Sequence, residues 1–137
     1  MKIVSACLAG IKCRYDGKSC DCEKVIELVK QGKAIPVCPE QLAGLTTPRE
    51  THEIKKGKVF SKTGKDKTEE FLKGAQEALK ITILGGCKEA ILKSKSPSCG
   101  CGKVYDGTFS RKLVKGDGIF TKLLKQNNIK VITEEEI

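Results

Sequence analysis

Hydrophobic positions along the chain follow two rhythms that take turns. Lys2-Ile3-Val4-Ser5-Ala6 is a short apolar run of the kind left by a strand buried on both faces. After a loop, Val25, Ile26, Leu28 and Val29 recur at helical spacing, and Gly32 closes that helix. Ala34-Ile35-Pro36-Val37 gives a second strand, its Pro near the start. Residues 40 to 52 carry no period and read as an irregular loop. His52 to Lys62 suggest a hairpin turning at Lys56-Gly57, between Ile54 and Val59-Phe60. A second helix starts near Asp66, which with Glu69 makes a capping box. Its apolar stripe is Phe71, Leu72, Ala75, Ala78, Leu79 and Ile83, and Gly85-Gly86 end it. Glu89 to Lys93 form a third strand. A Gly-rich loop from Ser96 to Gly118 then leads into a third helix, with Asp117 as N-cap and Ile119, Phe120, Leu123 and Leu124 facing inward. Ile129 to Thr133 complete the set as a fourth strand. Strands alternating with helices predict an α/β protein, a single Rossmann-like domain over residues 1–137. Its sheet is mainly parallel, with about four strands flanked by helices and a small β-hairpin near 52–62.

Composition narrows the class. The 137 residues are 39% hydrophobic and 31% charged, ordinary values for a globular chain. No apolar run approaches the roughly 20 residues of a membrane helix. Val4 to Cys7 mimic a lipoprotein cleavage box, but no apolar segment stands in front of them, so the expectation is a cytoplasmic protein. The net charge is +9, and only three of the 26 basic residues are Arg: Arg14, Arg49 and Arg111. Nucleic-acid readers favour the planar Arg fork, and single-strand binders interleave aromatics, which here are 4% with no Trp. The excess Lys therefore reads as a solvated surface, with RNA a disfavoured partner.

The chemistry lies in the cysteines, at positions 7, 13, 20, 22, 38, 87, 99 and 101. A disulfide framework would need a secretory route, and no Cys-x-x-Cys pair suggests a zinc ribbon or thioredoxin-like site. In an open parallel α/β sheet, ligands bind beyond the carboxyl ends of the strands. Cys7, Cys38 and Cys99 each follow a predicted strand there. Three converging thiolates without a fourth suit a soft metal centre with one open position, an iron–sulfur cluster or a catalytic zinc. The alternative is that they are small buried thiols. Cys13 is close enough to Cys7 in sequence to replace one of the three, and Cys101 competes with Cys99. Glu40 stands two residues after Cys38 and Ser96 three before Cys99, supplying a carboxylate and a hydroxyl for proton transfer beside an open metal position.

At these residues the chain resembles the thiouracil desulfidase family, nearly end to end. The likeness is carried by Ser5-Ala6-Cys7-Leu8, Cys13-Arg14-Tyr15-Asp16-Gly17, Val37-Cys38-Pro39-Glu40 and Thr47-Pro48-Arg49. It continues through Ala90-Ile91-Leu92-Lys93, Ser96-Pro97-Ser98-Cys99-Gly100, Tyr105-Asp106-Gly107-Thr108-Phe109-Ser110 and Gly116-Asp117-Gly118. The resemblance implies a [4Fe-4S] cluster held by Cys7, Cys38 and Cys99, labile in air, whose fourth iron takes the sulfur of a thiolated pyrimidine. It implies a non-redox reaction in which the thiocarbonyl becomes a carbonyl and sulfide leaves. Glu40 would then be the general acid/base and Ser96 a donor or proton relay. Arg14, Arg49 and Tyr105 would line the substrate pocket, although the two arginines also suit bracing the loops through carboxylates such as Asp16. The competing reading is a cytosolic metal- or sulfide-binding, or redox-sensing, thiol protein without turnover.

Overall fold

The computed structural model describes residues 1–137. In chain order the elements are β1 (Lys2–Ser5), α1 (Glu23–Lys30), β2 (Ala34–Val37), α2 (Pro39–Leu42), β3 (His52–Lys55) and β4 (Lys58–Ser61). They continue with α3 (Thr68–Leu84), β5 (Glu89–Leu92), β6 (Lys103–Tyr105), β7 (Leu113–Lys115), α4 (Ile119–Gln126) and β8 (Lys130–Thr133). The four strands expected from the apolar runs form one parallel sheet in the order β2-β1-β5-β8. Successive side chains of β1 and β5 enter different cores, as a sheet covered on both faces requires. Ile3, Ala90 and Leu92 join Phe71, Ala78, Phe120 and Leu124 beneath α3 and α4. Val4 and Ile91 join Leu8 and Val25 beneath α1. Pro36 lies on β2, an edge strand, where its missing N–H does not break a central ladder.

The chain leaves β1 toward β2 on one side, then crosses to β5 on the other. The sheet therefore has its topological switch point between β1 and β5. At that point Ser5 Oγ accepts the Lys93 N–H at 2.9 Å, joining the two strands past the end of their ladder.

The hairpin lies where expected, as β3 and β4, with Lys56 and Gly57 both at positive φ (51° and 76°), the conformation a two-residue type I′ turn needs. Other expectations are corrected. The Gly-rich stretch before α4 contains a second antiparallel hairpin, β6 with β7. Its strands are three residues long and Leu113 and Val114 are exposed, so no alternation marks it. The start of α3 is Thr68, and Asp66 bonds the Thr68 N–H and hydroxyl instead of boxing with Glu69. Along α3 the buried line is Phe71, Gly74, Ala75, Ala78 and Thr82, while Leu72 and Ile83 face outward. At α4 the N-cap is Gly118, because Asp117 is spent on the Gly102 N–H and the Lys125 ammonium.

Gly74 sets the position of α2. A Cβ there would stand 2.0 Å from the Pro39 carbonyl oxygen, so α3 and the turn carrying Glu40 meet backbone to backbone. Gly74→Ala is expected to cost roughly 1–3 kcal/mol through overpacking, read by chemical denaturation. A variant as stable as wild type would show that α2 is free to move.

Candidate active site

A cavity of about 380 Å³ opens at the switch point, beyond the carboxyl ends of β1, β2 and β5. Four of the eight cysteines line it: Cys7, Cys13, Cys38 and Cys99. Cys7 sits in a 3-10 turn, Ala6–Ala9, leaving β1, and Cys38 is the single residue between β2 and α2. Cys99 is held by its backbone on the first turn of α4. The Ile119 and Phe120 N–H groups donate to the Pro97 and Ser98 carbonyls (both 2.9 Å), and the Thr121 hydroxyl donates to the Cys99 carbonyl at 2.8 Å. The Cys38 thiol points to the Cys13 carbonyl at 3.8 Å. The remaining four stand elsewhere. Cys20 and Cys22 pack on the α1 side, Cys87 lies in the core, and the Cys101 thiol points to the Val131 carbonyl at 3.8 Å.

The thiols are arranged around a cavity, and no three Cys, His, Asp or Glu side chains gather at single-ion distance. Burial pushes the Cys99 thiol well above its ordinary value, helped by Cys38 and Glu40. A hydrogen bond to Cys13 and burial push Cys38 up likewise. Cys13 is pushed up to about 11: its bond with Cys38 favours the thiolate, but the bond to Cys7, burial and the charge of Cys7 outweigh it. Soft donors brought from separate loops into a partly apolar cavity are a donor set that fits an iron–sulfur cluster.

Glu40, on the first turn of α2, is held rather than free. Its carboxylate pairs with Arg49 Nε at 3.0 Å, and the two side chains are only 13% and 6% exposed. Arg49 spends its fork widely. Nη1 donates to the Thr47 hydroxyl (2.9 Å) and the Thr46 carbonyl (3.2 Å), and Nη2 to the Cys13 carbonyl (2.8 Å). One N–H of the five remains for anything else. Arg49 thus braces the Cys13 loop against the turn carrying Cys38 and Glu40. Arg14 pairs with Asp16 at 3.4 Å, lies over the Tyr15 ring, and still lines the cavity. Ser96 Oγ accepts the N–H groups of Ser98 (3.1 Å) and Cys99 (3.0 Å), so it shapes the cysteine turn and keeps its own proton to give. Tyr105, at the end of β6, lines the cavity.

Residues without a local sequence signal complete the wall. His52 is buried against Phe71 (ring centroids 5.1 Å), its Nδ1 has no partner, and burial lowers its pKa. Phe109 and Arg111 reach the cavity from the β6–β7 loop.

Behind the cavity, Glu134 ties down the exit from β5. It accepts from the Ser94 N–H (2.7 Å), the Ser94 hydroxyl (2.9 Å) and the Lys93 ammonium (3.0 Å). Burial alone would raise this carboxyl, but those donors outweigh it and hold it below the ordinary 4.5. Its contribution is therefore complete above pH 4.5 and is lost as pH falls through the depressed value. Glu134→Gln is expected to cost about 1–2 kcal/mol at pH 7, with the gap to wild type closing in acid. Denaturation curves at both pH values check this, and a gap that ignores pH would contradict it.

Fold and cavity together define an α/β protein with a cysteine-lined, cofactor-sized site at its switch point. The chain belongs to the 2-thiouracil desulfurase family, whose profile matches residues 3–136. It is 42% identical to the uncharacterized protein YbbK of Bacillus subtilis (strain 168), over 100% of this chain and 97% of that one. Among solved structures it is similar to the [4Fe-4S]-dependent thiouracil desulfidase TudS, at 40% identity and a TM-score of 0.93, covering 98% of this chain and 91% of the other.

Proposed function

We propose that this chain is an iron–sulfur-dependent desulfidase that replaces the sulfur of a thiolated pyrimidine, 2-thiouracil or a similar base or nucleoside, with oxygen from water. Cys7, Cys38 and Cys99 would hold its [4Fe-4S] cluster. Family membership and the 40%-identical neighbour support the enzyme class and the cofactor. The observation that carries the residue roles is the meeting of these three thiols with a braced, nearly buried carboxylate in one cavity.

When bound, the cluster would supply a thiophilic Lewis acid for the substrate sulfur. The protein does the rest. Glu40, aimed by its pairing with Arg49 Nε, takes a proton from the water that attacks the thiocarbonyl carbon. Glu40 returns that proton to the departing sulfur, and the second water proton follows as the carbonyl forms, so water and thiocarbonyl become carbonyl and hydrogen sulfide with no electron transferred. Ser96 donates a hydrogen bond from its free hydroxyl to the ring. Arg14 and Tyr105 orient the pyrimidine, and Arg49 contributes its one uncommitted N–H.

Turnover in oxygen-18 water tests this chemistry. The expected product carries the label at the former thiocarbonyl carbon and forms without added reductant. An unlabelled product, or a strict need for a reductant, would overturn it.

A further inference from the structure

The loop joining β6 to β7 is shaped from outside itself. Glu53, the second residue of β3, is buried, and a single oxygen, Oε1, accepts the N–H groups of both Gly107 and Phe109, each at 3.0 Å. The loop closes on itself where the Asp106 N–H donates to the Lys112 carbonyl at 3.0 Å, and Asp106 accepts the Thr108 N–H at 2.9 Å. Gly107, at φ +91°, lies so close to β3 that a Cβ would stand 2.6 Å from that of Lys55. Phe109 and Arg111 adopt φ values of 57° and 64°, in the left-handed region that bulky residues rarely enter. Such a conformation persists only where the surroundings over-determine it. Both side chains line the cavity.

Aromatic placement adds an independent observation. The chain has only six aromatic residues and no Trp. Three of them, Tyr15, Tyr105 and Phe109, line this one cavity, whereas Phe71 and Phe120 fill the core. A flat heteroaromatic ring is the ligand that such walls suit, since stacked or edge-on aromatic contacts favour it beyond simple burial.

We propose that Glu53 is a positioning residue, whose two backbone bonds hold Phe109 in its left-handed conformation so that the ring covers one face of the bound thiolated pyrimidine. Phe109 would touch the substrate, and Glu53 would act only through it. A carboxylate accepting two backbone N–H groups is a strong, directional anchor. The inference rests on the desulfidase reading, because that reading supplies the planar substrate.

The test uses the cluster-loaded protein and three variants: Phe109→Ala, Glu53→Ala and the double variant. Each alanine variant is expected to raise KM for 2-thiouracil on the order of tenfold, the loss of one base–aromatic stack, with a smaller change in kcat. The double variant should be no worse than Phe109→Ala alone, because both remove one interaction. Glu53→Gln keeps a carbonyl acceptor and is expected to restore KM. Amide exchange needs no activity. The Gly107 and Phe109 amides should exchange faster in Glu53→Ala than in wild type and Glu53→Gln. Unchanged exchange, or KM effects that add in the double variant, would overturn the proposal while wild-type turnover left the desulfidase reading standing. A loaded wild type that turns over no thiolated pyrimidine would remove both.

Discussion

Serine at position 7, 38 or 99, one at a time, leaves a folded protein that no longer assembles its cluster and whose sulfide release falls to background. The cause is the donor, not the shape: serine nearly matches cysteine in size, but a hydroxyl oxygen is a hard, protonated donor where a soft thiolate is required. Cys13 is the control. It lines the same cavity as Cys7 and Cys38, and the three-ligand account expects Cys13→Ser to retain the cluster. Iron and sulfide content with the visible absorption of reconstituted protein reads all four variants. A cluster lost in Cys13→Ser and kept in one of the others would exchange their roles.

Glu40→Gln is expected to separate binding from chemistry. Glutamine keeps an oxygen for Arg49 Nε, so the brace across the Cys13 loop, Thr46 and Thr47 stays intact. It has no basicity, and losing a positioned general base lowers kcat by about 10²–10⁴. Cluster absorption should match wild type. Near-normal turnover would move the proton transfer to another group, and a lost cluster would make Glu40 structural.

Much of this was legible in the sequence because the central strands are covered on both faces. The runs at Ile3-Val4 and Ala90-Ile91-Leu92 feed two cores at once and cannot be mistaken for half-solvated strands. Once the sheet is parallel, the switch-point rule points to the loops after β1, β2 and β5, and bonds to α4 bring Cys99 back to the cavity shared with Cys7 and Cys38. Elements stabilised by single long-range contacts left no trace. The β6–β7 hairpin exposes Leu113 and Val114, and α2 is a four-residue turn fixed by Gly74 from across the core. Asp117 has the right chemistry for a cap and is taken instead by Gly102 and Lys125. Arg49 was open between substrate and brace; four bonds to the protein place most of its fork in the brace. Phe109 and His52 reach the cavity through tertiary packing that no spacing encodes. Glu53, one charge among many along the chain, matters through amides 54 and 56 residues away.

The most direct measurement of the central claim is product stoichiometry. The protein is purified without oxygen, reconstituted with iron and sulfide, freed of excess reagent, and given 2-thiouracil and 4-thiouracil. The account predicts uracil and sulfide in equal amounts over many turnovers. A fully formed cluster that releases no sulfide from either base, or from a thiolated nucleoside, would contradict it and make this chain a carrier rather than an enzyme.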